Sequence, residues 1–396
     1  MVDANLSSAA AAILGITLTG GLFVLLLAVL IGFLGLFAYW FLVLFSKPRT
    51  KKKEGLKITV KRVDENPVMR PVAGHWWESE AVFNPAAFVD HGRVHLLYRA
   101  VGGDGVSRIG YASSADGIHF DERLPYPVYD SGPGFTPTAH DRRYLPLSYN
   151  TDLYASGGSW GGCEDPRAVV IDDHMYMTFG IFESWQSMRL GVTALSREDL
   201  KARNWAWLPH VTMSPKNETN KNWVLFPEKL NGKYAILHAL TPSVMIEYVN
   251  DLAELHYNPI KSNNKRSGRK GHWDAFVRGV AAPPMKTEAG WLLFYHGMNP
   301  DQPEVGYKVG AMLLDLDDPT KILYRSSEPV LEPKEWYEND WKPGVVYASG
   351  AVIFGDDLIL YYGGGDKYIA AAKVNYKEFL HALMQNEHAQ LHRVKL

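Results

Sequence analysis

The sequence predicts an all-β chain, a five-bladed β-propeller with one N-terminal transmembrane helix. Three observations predict it. An apolar hairpin recurs five times after residue 80, a third apolar strand follows most copies, and residues 9–45 are almost wholly apolar without a charge. Hydrophobic content of 46% and charged content of 21% are ordinary globular values. A net charge of −2 gives no footprint for nucleic acid as a partner. The single cysteine, Cys163, excludes an intrachain disulfide.

The apolar run at 9–45 exceeds the ~20 residues that span a bilayer. Lys47, Arg49, Lys51, Lys52 and Lys53 follow it, and only Asp3 is charged before it. The positive-inside rule then predicts a single-pass membrane protein with its C-terminal bulk in the cytoplasm. The predicted organisation is a membrane segment over 1–46, a basic linker with a lead-in strand over 47–70, and a propeller over 71–396 that ends in a short helix from 376 to 387.

The hairpins are read from their turns. The first runs 84–89, turns at His91-Gly92 and returns over 94–99. The second opens at Asp165-Pro166, turns at Asp172-Asp173 and returns over 175–179. The third pairs 226–230 with 234–238 across Asn231-Gly232. The fourth pairs 283–285 with 291–296 across Ala289-Gly290, and the fifth 350–354 with 358–362 across Asp356-Asp357. Such turn pairs favour two-residue hairpin loops. Third strands follow at 109–113, 190–194, 309–313 and 369–372. Five similar hairpins at long spacing fit a propeller better than a sandwich.

In a hairpin the start of the first strand and the end of the second share one edge. If the first strand of each blade is innermost, one rim collects Asn84, Arg99, Asp165, Glu228, His238, His296 and the segment ending at Asp366. Asn, Arg, Asp, Glu and His with aromatic walls suit a polyhydroxylated ligand, whose hydroxyls need both donors and acceptors. The chain has twelve Trp and twenty-one Tyr, which fits sugar stacking but also fits a β core. Another reading of the Glu164–Arg167 stretch is that these two residues pair with each other and close a loop. No metal-ligand spacing and no Gly-rich phosphate loop is found, so neither a metal nor a cofactor is expected.

The run from Gly162 to Arg167 resembles the signature of glycoside hydrolase family 130, the β-mannoside phosphorylases and β-mannosidases. So do Tyr98-Arg99, the segments 107–112 and 114–118, Leu225 to Lys229, Gly290 to Gly297, 314–319, and Tyr361 to Asp366. Together they cover roughly residues 70 to 380, and the family fold is a five-bladed propeller. The resemblance implies a single-displacement, inverting attack on a β-mannoside. Asp165 stands at the position of the proton donor, which in many members acts through a sugar hydroxyl. Asn84, Arg99 and Asp366 stand where the mannose is held, and Glu164, Arg167 and Glu228 join them as expected substrate-binding residues. Lys221, Asn222, Arg278 and His296 are the expected phosphate ligands. Two departures stand out: Ala239 follows His238 where family phosphorylases usually carry an arginine, and the lysine usual before the fourth hairpin is missing near Val277 and Arg278, where Arg278 is the candidate substitute. The expected co-substrate is inorganic phosphate or GDP-mannose. Hydrolysis is an alternative, with Glu228, Glu247 and Asp274 as candidate bases, and a catalytically silent sugar-binding propeller is another.

Overall fold

The computed structural model describes residues 25, 27–37, 39–40, 58–130, 161–184, 187–299 and 306–386. The chain divides into two compact units, Met1–Glu54 and Gly55–Leu396. In the first, the described residues are helical and lie between 25 and 40. This corrects the expected transmembrane helix. Among the described residues no helix is long and apolar enough to cross a membrane, since the described stretch falls short of the ~20 residues a span needs. The remainder of the 9–45 run and the basic cluster at 47–53 lie outside the described residues. The single-pass placement, the membrane as partner and the cytoplasmic orientation rested on that helix and fall with it.

The second unit is all-β with two short helices. A lead-in strand β1 (Lys61–Arg62) precedes five blades. The first holds β2 (Ala81–Asp90), β3 (Arg93–Val101), β4 (Val106–Ser114) and β5 (Glu122–Arg123). The second holds β6 (Gly161–Ile171), β7 (His174–Ser184) and β8 (Ser187–Ser196), then helix α1 (Arg197–Ala202) and β9 (Val211–Thr212). The third is small: β10 (Val224–Leu225), β11 (Tyr234–Ala239) and β12 (Met245–Val249). The fourth holds β13 (Phe276–Val280), β14 (Met285–Thr287), β15 (Gly290–Met298), β16 (Lys308–Leu314) and β17 (Ile322–Arg325). The fifth holds β18 (Val346–Phe354), β19 (Asp357–Gly364) and β20 (Tyr368–Asn375), with helix α2 (Tyr376–Met384) behind it. Pairing within each blade is antiparallel, and β1 pairs with β20, so the start of the domain completes its last sheet.

Turn chemistry sets the hairpins. His91 and Gly92 have φ of 45° and 72°, and Asn231 and Gly232 have 51° and 77°, the doubly left-handed pair that matches strand twist. Helix α2 buries Phe379, Leu380 and Leu383 among Phe294, Val309, Leu331 and Ala370. It therefore packs against both the fourth and the fifth blades.

First strands carry a bulge at the same end of their blades. Register shifts fall between Phe83 and Ala86, Glu164 and Arg167, Val277 and Gly279, and Ala348 and Gly350. Asn84 and Asp165 sit in two of them with φ of 47° and 48°. Each is followed by proline, which has no N–H to give a ladder and is tolerated where the ladder is already broken. A bulge re-aims a side chain, and here the re-aimed groups are an amide and a carboxylate.

Outside the rim, three blades repeat one buried polar cluster. Tyr98 Oη donates to Glu78 at 2.9 Å and Arg123 reaches the same carboxylate at 2.6 Å. Tyr295 Oη and Arg325 each donate to Asp274 at 2.7 Å. Tyr362 Oη and Arg62 each reach Glu338 at 2.8 Å. An aromatic residue precedes each acid: Trp77, Trp273 and Tyr337. Asp274 is fully buried. Burial works to raise its pKa, but Arg325 and Arg269 outweigh it and the net shift is downward. Removing one partner of such a pair strands a buried charge. Asp274→Ala should therefore cost about 3–5 kcal/mol, while Lys286→Ala, which breaks an exposed pair with Glu228, should cost about 1 kcal/mol or less. Urea unfolding of the two variants checks this, and equal losses would contradict it.

Candidate active site

The bulges point into one cavity. Asn84, Arg99, Asp165, Lys221, Asn222, Arg278 and Asp366 line it, together with Arg266, Tyr307, Lys342, Val345 and Tyr347. Seven of the eleven residues expected at the site are thus brought together.

Arg99 organises the floor. Its Nη1 donates to Asp165 Oδ1 at 3.0 Å, its Nη2 to Glu164 Oε1 at 2.9 Å and its Nε to Ser107 Oγ at 2.8 Å. The guanidinium also lies over the Phe83 ring, 4.7 Å from its centroid. Asn84 Nδ2 adds a bond to Asp165 Oδ1 at 2.7 Å. A β-carbon on Gly363 would stand 2.1 Å from Asn84 Oδ1, so the glycine run before Asp366 makes room for that amide. Burial acts to raise the Asp165 pKa. Arg99, Arg167 and Lys221 overcome it and hold the carboxyl below the usual carboxylate range.

A second layer supports the first. Glu164 does not pair with Arg167; it is buried against Arg99, with Lys221 Nζ 3.8 Å from its other oxygen. Arg167 is a buried hub. It donates to the Asp165 carbonyl at 2.6 Å, the Ala281 carbonyl at 3.0 Å, Tyr347 Oη at 3.1 Å and Asn222 Oδ1 at 3.2 Å. Tyr347 Oη in turn donates to Asn222 Oδ1. Glu164 and Arg167 therefore position Asp165 and Asn222, and they themselves line a smaller adjoining recess that shares Asp165, Lys221 and Asn222 with the main cavity.

His296 is also one layer back. It is fully buried and stacked on Tyr347, with ring centroids 4.2 Å apart and an angle of 15°. Burial, then Arg167, pushes its pKa down to about 3. A neutral imidazole behind a tyrosine props that ring and brings no charge to an anion.

Glu228 is not at the rim. It is exposed and pairs with Lys286 at 2.6 Å. Aligning Pro227 with Pro85 and Pro166 placed it wrongly. The first strand of this blade ends at Leu225, so Pro227 lies beyond it. The rim position belongs to Asn222, whose φ of 65° matches those of Asn84 and Asp165. His238 is buried and bonded to Ser262 Oγ at 3.0 Å, outside the cavity lining. The other candidate bases are absent from the lining too: Glu247 is exposed on β12 and Asp274 belongs to the Tyr295 cluster.

Four functional candidates escaped sequence reading. Tyr347 opens the fifth blade's first strand, so the rim rule could have found it. Arg266, Tyr307 and Lys342 come from loops, where no periodicity marks them. Lys342 Nζ holds Asp366 Oδ2 at 3.0 Å. Five cations and two carboxylates line the cavity, which gives it a net positive field. Among the described residues no cluster of His, Cys, Asp or Glu could hold a metal ion.

An all-β enzyme domain with a carboxylate opposed by cations in a central cavity is the class that fold and site define. A family model described as beta-1,4-mannooligosaccharide phosphorylase matches residues 151–385. The 1,2-beta-oligomannan phosphorylase of Thermoanaerobacter sp. (strain X514) is 35% identical over 81% of this chain and 99% of its own length. Among solved structures, the Listeria innocua beta-1,2-mannobiose phosphorylase in complex with beta-1,2-mannobiose aligns with a TM-score of 0.60 and 26% identity. That alignment covers 82% of this chain and 99% of the other. The chain belongs to glycoside hydrolase family 130.

Two of the buried histidines, His238 and His296, predict an acid limb in stability. An unfolded histidine binds a proton near 6.5, whereas folded His238 and His296 do so only near about 4 and about 3, chiefly because of burial. Their contribution is present above pH 6.5 and is lost as pH falls towards their folded values. Each should cost about 1.4 kcal/mol per pH unit between roughly 6 and 4. Urea unfolding at pH 7 and pH 4.5 should show a shallower loss for His238→Asn than for the parent. Identical losses would contradict the assignment.

Proposed function

We propose that the chain is an inverting β-mannoside phosphorylase whose substrates are short β-1,2-linked mannosides. One observation carries this: Asp165 shares its cavity with five cationic side chains, and Asp366, the other carboxylate lining that cavity among the described residues, is held by Lys342. Phosphate is already anionic, so it needs charge-assisted donors rather than a general base. Lys221, Asn222 and Arg278 supply donors in that cavity. The β-1,2 linkage is taken from the 35%-identical 1,2-beta-oligomannan phosphorylase.

In this reading Asn84, Arg99 and Asp366 hold the mannosyl unit. Asn84 Oδ1 is buried and lacks a donor among the described residues, and a sugar hydroxyl supplies one. Phosphate attacks C1 on the face opposite the leaving group. The C1–O bond to the departing sugar breaks, a C1–O–P bond forms, and a proton reaches the leaving oxygen from Asp165 directly or through a sugar hydroxyl. The charge environment fits this order of events. The cations that hold the Asp165 carboxyl low are offset when phosphate enters, and its affinity for a proton rises.

Initial rates on β-1,2-mannobiose with and without phosphate test the reading. Cleavage should require phosphate and yield mannose 1-phosphate. Free mannose at an equal rate in both conditions would refute it. Asp165→Asn keeps the shape but cannot donate an acidic proton, so turnover should fall by about 10²-fold or more while mannobiose binding survives.

A further inference from the structure

The cavity wall contains two arginines without counter-ions among the described residues. Arg266 and Arg278 line it beside Tyr307, and the Arg278 guanidinium lies 5.0 Å from the Tyr307 ring centroid. Neither guanidinium has a hydrogen-bonded or ion-paired partner among the described residues. Burial, then the neighbouring Arg278, lowers the pKa of Arg266 from the ordinary arginine value. Two like charges held together in a half-buried site repel each other, and an anion bound between them reverses that sign.

The loop that carries Arg266 is built for the position. Arg266 has φ 55°, left-handed for a residue with a β-carbon. Neighbouring bonds hold it there. Its N–H donates to Asn264 Oδ1 at 3.1 Å, and its carbonyl accepts from Val277 N–H at 2.9 Å. Two residues on, a β-carbon at Gly268 would stand 1.7 Å from the Asp274 carbonyl, so only glycine lets the loop lie so close to the fourth blade. On the other side Lys265 N–H donates to the Thr241 carbonyl at 3.2 Å. Thr241 is two residues from Ala239, the buried alanine that stands where an arginine was expected. Strain of this kind persists where surrounding structure over-determines it, as at functional sites.

We propose that Arg266 binds the nucleophilic phosphate, supplying from the loop before β13 the cation that the third blade lacks at Ala239, and that it closes an anion clamp with Arg278 and Tyr307. This rests on the phosphorylase reading, and it gives the clamp a second source of positive charge between the third and fourth blades. Because Arg266 faces Arg278 across the cavity wall, its removal has a signature that a structural arginine would not give.

The test uses the full chain and its Arg266→Gln and Arg266→Lys variants, with two readouts. The first is thermal melting with and without inorganic phosphate, in the absence of sugar. Phosphate should raise the parent's melting temperature. In Arg266→Gln the phosphate-free melting temperature should stay the same or rise, and the phosphate-induced shift should shrink. The second is the phosphate dependence of β-1,2-mannobiose cleavage. Loss of one charge-assisted bond should raise KM for phosphate about tenfold to a hundredfold, leave KM for mannobiose within about threefold, and be partly rescued in Arg266→Lys. An unchanged phosphate shift and unchanged phosphate KM would overturn the proposal. So would a lower phosphate-free melting temperature with kcat reduced and KM for phosphate unaltered, because that is the pattern of a purely structural residue. If the parent cleaves without phosphate, the phosphorylase reading fails. The melting arm still decides on Arg266, because a parent that phosphate does not stabilise overturns the clamp as well.

Discussion

The buried contact between Arg99 and the adjacent carboxylates Glu164 and Asp165 is the constraint on which the rest of the site depends. One guanidinium, almost fully buried, joins the end of β3 to the bulge of β6, and Ser107 on β4 takes its remaining Nε. A charge buried this deeply costs free energy unless every donor is satisfied. The first two blades must therefore keep their mutual register. Asp165 is held ionised as a result, and Arg167 extends the same network to Asn222 and Tyr347 on the third and fifth blades. The cavity is shaped by these links rather than by apolar packing, whose clusters lie within and between the blades.

Much of the fold was legible because turns and strands have local signatures. His91-Gly92 and Asn231-Gly232 specify hairpins through backbone sterics alone. Asn84-Pro85 and Asp165-Pro166 mark bulges because proline cannot complete a ladder. Reading failed where the local signal and the tertiary role part. Pro227 looks like the other two prolines but follows a strand of two residues, so Glu228 was assigned to a rim it does not reach. The fourth blade's first strand, Phe276–Val280, is short and interrupted at Gly279, and it was missed in favour of the segment around Pro283. The apolar run near the N-terminus has the composition of a span, but its described helical part is too short to be one.

Side-chain roles were less legible than positions. Glu164, Arg167 and His296 were identified as site residues by type and place, yet Glu164 and Arg167 reach only a smaller recess beside the main cavity and His296 lies behind Tyr347. Sequence cannot tell a group that touches a ligand from one that positions it, because that depends on a difference of one side chain's depth. Arg266 and Lys342 carry the opposite lesson. Loops have no period, so a cation that lines the cavity from one is invisible until the fold brings it to the rim. The repeated pairs Trp77-Glu78, Trp273-Asp274 and Tyr337-Glu338 were available in the sequence, and only the structure shows them to be one device used three times.

The central claim is that phosphate, received by the cationic wall, attacks the mannoside on the face opposite Asp165. Following β-1,2-mannobiose and phosphate with the full chain by proton and phosphorus NMR reads this directly, because the first product retains its anomeric signature before it equilibrates. The account predicts α-mannose 1-phosphate as the first species formed, the inverted product of a single displacement. Initial formation of the β-phosphate, or of free mannose with phosphate unconsumed, would contradict it.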